Sequence, residues 1–401
     1  MSTAKVSGLV YQVRYRYYRS CKELWFRRKS NTESLRCYAT EKMPNISNSR
    51  KSTLFLGIVG VSVGAVIGAG YSYFKAQQPQ KHVMNPDTGI TNNIVQDIPD
   101  IPISRRVIGS MDNTGLKLKL FQYPTCPFCC KVRAFLDYFG FSYDIIEVNP
   151  VMRQQIKWSQ YKKVPILLVQ VDNGYLQLND SSMIISALTS YLHERDQGLP
   201  EVVKCYPTIS YTDDDGSIKK EIMNRYFLMF QEDIPKDRTK ENILLERKWR
   251  KWADDVLVHM LSPNVYRTLD EAFQAFNWFS EVGEWDKHFP AWERFMIVYV
   301  GAVAMWLISK RLKKRHSLKD DVRQSLYDEC NVWLRTLKKQ GTKYLGGSSP
   351  NLADLAVYGV LSSIEGCRAF QDLQAHTKMG GWYQDMQQFV QKHGGAMLMS
   401  S

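Results

Sequence analysis

From Leu116 to Gly140 the chain reads LKLKLFQYPTCPFCCKVRAFLDYFG. Leu116, Leu118 and Leu120 alternate with Lys117 and Lys119, the period of a half-buried strand. Val132, Phe135, Leu136 and Phe139 then recur at helical spacing, and Gly140 is a helix stop. Cys126 and Cys129 therefore sit where a strand passes into a helix. The next 50 residues continue in the same style. Tyr143 to Val148 reads as a strand, Val151 to about Ser159 as a helix, and Val164 to Val169 as a strand. Asp172-Asn173-Gly174 reads as a hairpin turn into Tyr175 to Leu178. Asn179 to Ser182 cap a helix over Met183 to Leu192. The order β-α-β-α-β-β-α predicts one small α/β domain.

Residues 194–240 are polar and turn-rich and read as a linker with an inserted loop. Beyond them helical periodicity dominates, over Glu241–Leu261, Leu269–Phe279, Pro290–Leu312, Asp320–Leu337 and Leu352–Phe370. Asn351-Leu-Ala-Asp354 has the spacing of a capping box. Phe295 to Ile308 is apolar over only 14 residues before a Lys/Arg cluster. At that length it reads as a buried bundle helix rather than a membrane span.

Charge separates the N-terminus from the rest. The 401 residues carry +13, but residues 1–52 hold 12 Lys/Arg against 3 Asp/Glu, leaving 41 against 37 elsewhere. A near-neutral body lacks the basic stripe of a nucleic-acid binder, so no nucleic-acid partner is expected. Thr53 to Phe74 runs 22 residues without a charge, between Arg50-Lys51 and Lys75, which is long enough to span a bilayer. The Arg-rich, acid-poor segment before it leaves a mitochondrial address open. Residues 75–115, rich in Pro, Asn and Asp, read as a tether. Five of the eight cysteines are scattered, which argues against a disulfide framework.

The remaining three are Cys126, Cys129 and Cys130. A helix dipole with Lys131 and Arg133 in the first turns favours thiolate on Cys126, and Cys129 can resolve a mixed disulfide. Cys130 faces another side and reads as a small buried residue. No second CxxC or clustered His completes a zinc set, so no metal is expected. Val164-Pro165 opens a strand with a residue that cannot donate to a ladder. A cis peptide there would offer the Val164 backbone to an extended peptide, and a trans edge proline is the alternative. Asp180-Ser181 at a helix start can meet a carboxylate and an ammonium, or can simply be a cap.

In this order, CPFC, VP and DS resemble the thioredoxin-like, glutaredoxin-type domain of glutathione transferases, with Asn351 to Asp354 resembling the opening of a helix in their all-helical second domain. YPTCPFCCKVRAFLDYF, EVNP, KVPILL, LNDSSMIISAL, WADDVLVH, SPNVYRT, ISKRLKKRH and SPNLADLAVYGVL further resemble the membrane-associated type-2 prostaglandin E synthases, over roughly residues 115 to 385. The residue pattern and the resemblance together divide the chain into a basic leader (1–52), a transmembrane helix (53–74) and a tether (75–115), all read from the residues, then a thioredoxin/glutaredoxin-like α/β domain (116–193), a linker or insert (194–240) and an all-α glutathione-transferase-like domain (241–390). The resemblance implies isomerisation of the prostaglandin H2 endoperoxide to prostaglandin E2, with Cys126 as catalytic thiol, Cys129 beside it, and Tyr123 and Phe128 shaping the pocket. Val164, Pro165, Asp180 and Ser181 would hold glutathione, whose sulfur can ligate haem. A homodimer and a Golgi or perinuclear membrane location, with a releasable soluble form, are implied too. A glutathione-dependent thiol-disulfide oxidoreductase and a non-enzymatic glutathione/haem-binding module are the alternatives.

Overall fold

The computed structural model describes residues 94–212, 218–230 and 239–399. The leader, the expected span at 53–74 and residues 75–93 lie outside the described residues. Six strands form one mixed sheet in the order β1-β6-β5-β3-β4-β2: β1 (Ile94–Val95), β2 (Arg105–Val107), β3 (Leu118–Gln122), β4 (Tyr143–Glu147), β5 (Ile166–Val171) and β6 (Gly174–Asn179). β3 pairs parallel with β4 and antiparallel with β5. The parallel pair needs a crossover, and α1 (Pro127–Phe139) supplies it. The α1 helix begins with Pro at its first position and ends on Gly140 at φ 78°, a left-handed stop that glycine adopts without strain.

One sheet face, carrying Leu118, Leu120, Leu167, Val169, Leu176 and Leu178, is covered by Val132, Phe135 and Leu136 of α1 and by α2 (Ser181–His193). The other, with Phe121, Ile146, Ile166 and Leu168, packs on Cys129, Ile156 and Val164. Two expectations change here. The helix expected over 151–159 is only a 3-10 turn, Gln154–Ile156, because the Asn149 side chain accepts the Val151 and Met152 N–H groups and Arg153 takes φ 50°. Residues 94–107, within the stretch expected to be a tether, add β1 and β2 to the two edges of the sheet.

After α2 come α3 (Gly198–Lys204) and a hairpin of β7 (Thr208–Thr212) and β8 (Ile218–Ile222). The helical part then runs through α4 (Lys240–Trp252), a π-helical turn (Ala253–Leu257), α5 (Val258–Val265), α6 (Leu269–Val282), the short α7 (Trp285–His288), α8 (Ala291–Phe295), a second π turn (Met296–Val300) and α9 (Gly301–Arg315). It ends in α10 (Val322–Gln340), α11 (Leu352–Ser362), α12 (Arg368–His376) and α13 (Met379–Gln391). Trp333 of α10 is its centre, 5.1 Å from Trp249 and 5.5 Å from Trp382, ring to ring. Asn351 and Asp354 form a reciprocal capping box, and Asp354 also accepts the N–H groups of Leu345 and Gly346.

The expectation that Phe295–Ile308 is a buried bundle helix is overturned. Ile297, Val298, Ala302 and Ser309 are buried, but Trp292, Phe295, Met296, Tyr299, Val300, Val303 and Leu307 form an exposed stripe. Continuous through both α segments and the π turn, Ala291–Arg315 is long and apolar enough to cross a membrane, and only 22% of its most apolar window is buried. Counting only the uncharged run understated its length and hid its two-faced character.

Candidate active site

Strand β3 delivers the chain to Tyr123-Pro124-Thr125, which turns so that the Cys126 N–H donates to Tyr123 O at 3.2 Å. Cys126 is the N-cap of α1, extended and half-buried, while Cys129 is completely buried one turn on. A hydrogen bond from the Cys129 thiol holds the Cys126 thiol below its ordinary range. Burial opposes this, and the backbone N–H groups of Cys129 and Phe128 and the charge of Arg133 assist it. Desolvation, with the Cys126 pairing added, pushes Cys129 well up. The pair therefore divides its protonation, with thiolate favoured on the outer sulfur.

The cations of α1 are used differently from one another. Arg133 donates to Gln122 Oε1 and Pro124 O at 2.7 Å each and to Cys130 Sγ at 3.2 Å, bracing the turn before Cys126. Lys131, expected to favour the thiolate, is 1% exposed and points away into the helical part. There it forms an ion pair with Asp254 of the first π turn and donates to Ser182 Oγ at 3.0 Å. Burial alone would raise the Asp254 carboxyl. The Lys131 charge, with hydrogen bonds from Lys131, Ser182 and Tyr226, outweighs it and holds Asp254 below the usual carboxylate range. Cys130 is buried as expected, yet it is not purely apolar, for its thiol donates to Pro124 O at 3.3 Å.

Cys126 packs, with Tyr123, Trp158 and Tyr161, against the small core that holds Phe121, Cys129 and Val164, and Tyr123 and Tyr161 are two tyrosines whose hydroxyls feel its charge. Burial raises the Tyr123 hydroxyl, which Arg153 faces and bonds. Tyr161 feels both Asp180 and Cys126, and burial raises it as well. Phe128 is half-buried with the Lys131 ammonium 5.6 Å over its ring. The Val164–Pro165 peptide is cis. Among the described residues, the Val164 N–H and C=O have no backbone partner. Asp180 caps α2 at φ 71°, with Oδ1 accepting from Ser182 N and Met183 N at 2.9 and 3.1 Å. Ser181 is buried at the first position of that helix. Arg225 reaches Asp180 Oδ2 at 3.2 Å from beyond β8.

A family profile described as Glutaredoxin matches residues 118–172. Prostaglandin E synthase 2 of Danio rerio is 50% identical over 285 residues, 70% of this chain and 72% of that protein. The Mus musculus protein of the same name is 49% identical over 282 residues, with the same coverage. The chain belongs to the prostaglandin E synthase 2 family. Among solved structures, one titled as glutathione S-transferase III in apo form aligns at 15% identity and a TM-score of 0.38, covering 70% of this chain and 96% of that one.

Three participants in this family member's site escaped sequence reasoning. Tyr161 lies just ahead of the Val164-Pro165 strand and could have been found as an aromatic flanking that motif. Arg225 and Asp254 follow Cys126 by 99 and 128 residues; Arg225 lies in a segment without any motif, and Asp254 in WADDVLVH, a stretch that carries the resemblance but points to no site residue. Only the folded contact between the two parts brings them in.

Proposed function

We propose that this protein isomerises prostaglandin H2 to prostaglandin E2 at Cys126, with glutathione bound in the same cleft. One observation carries the reading: in a chain half identical to two prostaglandin E synthases, the sulfur at the open end of α1 is held towards thiolate. The thiolate attacks the endoperoxide oxygen on the ring carbon that becomes the ketone. An S–O bond forms, the O–O bond breaks, and the released alkoxide takes a proton to become the hydroxyl. Loss of the proton on that ring carbon then forms C=O and breaks S–O, returning the thiolate with no net redox change. Tyr123 and Phe128 wall the pocket, and the buried Cys129 thiol steadies the sulfur by its hydrogen bond.

Glutathione takes the unpartnered Val164 backbone as an added strand next to Pro165, and its γ-glutamyl end meets Asp180 and Ser181 at the start of α2. Haem would be held through the glutathione sulfur, as the resemblance implies, and no step is routed through it. Membrane attachment through residues 53–74, resting on that uncharged run, and a homodimer and Golgi or perinuclear placement, resting on the resemblance alone, belong to the same proposal.

Thiol-disulfide exchange is the second reading, favoured by the hydrogen-bonded pair of free thiols. Product analysis from the endoperoxide separates the two, with and without haem plus glutathione. Wild type and Cys129→Ser should both give prostaglandin E2 without haem, and Cys126→Ser should fall to the uncatalysed mixture. Dependence on both cysteines would favour the dithiol cycle. A non-enzymatic binding module would leave every variant at background.

A further inference from the structure

The turn after β8 reaches the start of α2. Ser186 Oγ donates to Arg225 O at 2.7 Å, and buried Arg250 donates to Tyr226 O at 3.2 Å and to Ser182 O at 3.1 Å. The Tyr226 hydroxyl donates to Asp254 Oδ2 at 3.0 Å, and the Arg225 guanidinium lies 5.0 Å over the Tyr226 ring. This turn is therefore clamped from three sides, and among the described residues its one ion pair outward is Arg225 Nη1 to Asp180 Oδ2 at 3.2 Å. Both side chains of that pair are 26% exposed. A pair so open to water adds little stability. It also leaves four of the five guanidinium N–H donors free of Asp180.

We propose that Arg225 is a specificity-determining residue for glutathione, forming with Asp180 a charge pair complementary to the zwitterionic end of the γ-glutamyl group. The ligand carboxylate goes to Arg225 and the ligand ammonium to Asp180. The ion pair opens as the zwitterion enters, and neither side chain loses an opposite charge, because the ligand supplies both. Oδ1 of Asp180 keeps its two backbone N–H donors throughout, so the helix cap is not sacrificed. A lysine could supply the charge but not the forked geometry, so Arg225→Lys should be intermediate. The inference rests on the glutathione reading above and adds to it a residue from the inserted segment.

The test is titration calorimetry on the full chain in mild detergent. The ligands are glutathione and 4-aminobutanoyl-Cys-Gly, which is glutathione lacking the γ-glutamyl α-carboxylate. Wild type should prefer glutathione. Arg225→Ala should weaken glutathione about tenfold, the loss of one charge-assisted contact, and leave the analogue unchanged. Arg225→Lys should recover part of the difference. Equal weakening of both ligands would mean Arg225 only shapes the turn, and unchanged glutathione binding would mean it makes no contact; either result overturns the inference while the glutathione reading stands. Failure of wild type to bind glutathione would overturn both.

Discussion

Cys126 and Cys129 are three residues apart, yet one thiol is held down by donors and the other pushed up by burial. Removing the Cys129 donor should therefore raise the Cys126 pKa. We expect the iodoacetamide reaction of the Cys126 peptide, followed by mass spectrometry against pH, to have its midpoint below the ordinary cysteine range in wild type. In Cys129→Ala it should move up by about one pH unit, since a hydrogen bond to a charged group is worth about 1.5 kcal/mol or more. The sign of the linkage follows. A thiol depressed in the fold contributes stability above its unfolded pKa, and loses that contribution as pH falls through the folded one. An unmoved midpoint would show that the backbone N–H groups and the Arg133 charge hold the thiolate without help from Cys129. The strand-to-helix position of CPFC was enough to tell which sulfur is outward. The role of Lys131 was not legible, because what claims it is Asp254, 123 residues further along.

At the scale of elements, the α1 helix that carries both thiols lies against α11, and Gly359 is where the two come closest. A Cβ placed there would stand 2.6 Å from Lys131 Cα and 2.8 Å from its N, both backbone atoms of α1. Backbone cannot rotate away as a side-chain tip can, so Gly359→Ala must push the helices apart. We expect a cost of about 1–3 kcal/mol, read as a lower melting temperature. Gly381 in α13 is the control: an added Cβ meets nothing within 4 Å, and alanine there should be stabilising by about 0.5–1 kcal/mol. If both alanines behave alike, the close approach is not what sets the cost. Helices such as α1, α2 and α11 were readable because cap, apolar face and stop agree locally. The helix expected over 151–159 failed because the Asn149 side chain competes for its first N–H groups, and the surface of α8–α9 misled because its apolar residues lie on both faces.

On the scale of the whole molecule, the sheet is closed at both edges by short strands from residues 94–107, and nothing in their sequence announces them. Two or three residues have no measurable period; they become strands only because β6 and β4 present open backbone. At the β4 edge, Arg105, Arg106 and Val107 pair with Ile145, Asp144 and Tyr143, Ser104 N donates to Ile145 O at 2.8 Å, and Arg106 bonds Asp144 at 2.7 Å. At the other, Ile94 and Val95 pair with Leu176 and Tyr175. The thiol site lies on the strands between these edges, so its frame depends on residues that read as a mere connector. Unpaired edges are templates for association. A chain starting at residue 90 should therefore remain monodisperse, or a single defined oligomer, in light scattering. One starting at residue 110 should melt several degrees lower, each lost backbone hydrogen bond costing about 0.5–1.5 kcal/mol, and should aggregate as it is concentrated. Equal melting and scattering for the two would mean that the edge strands merely lie on a sheet that is already complete without them.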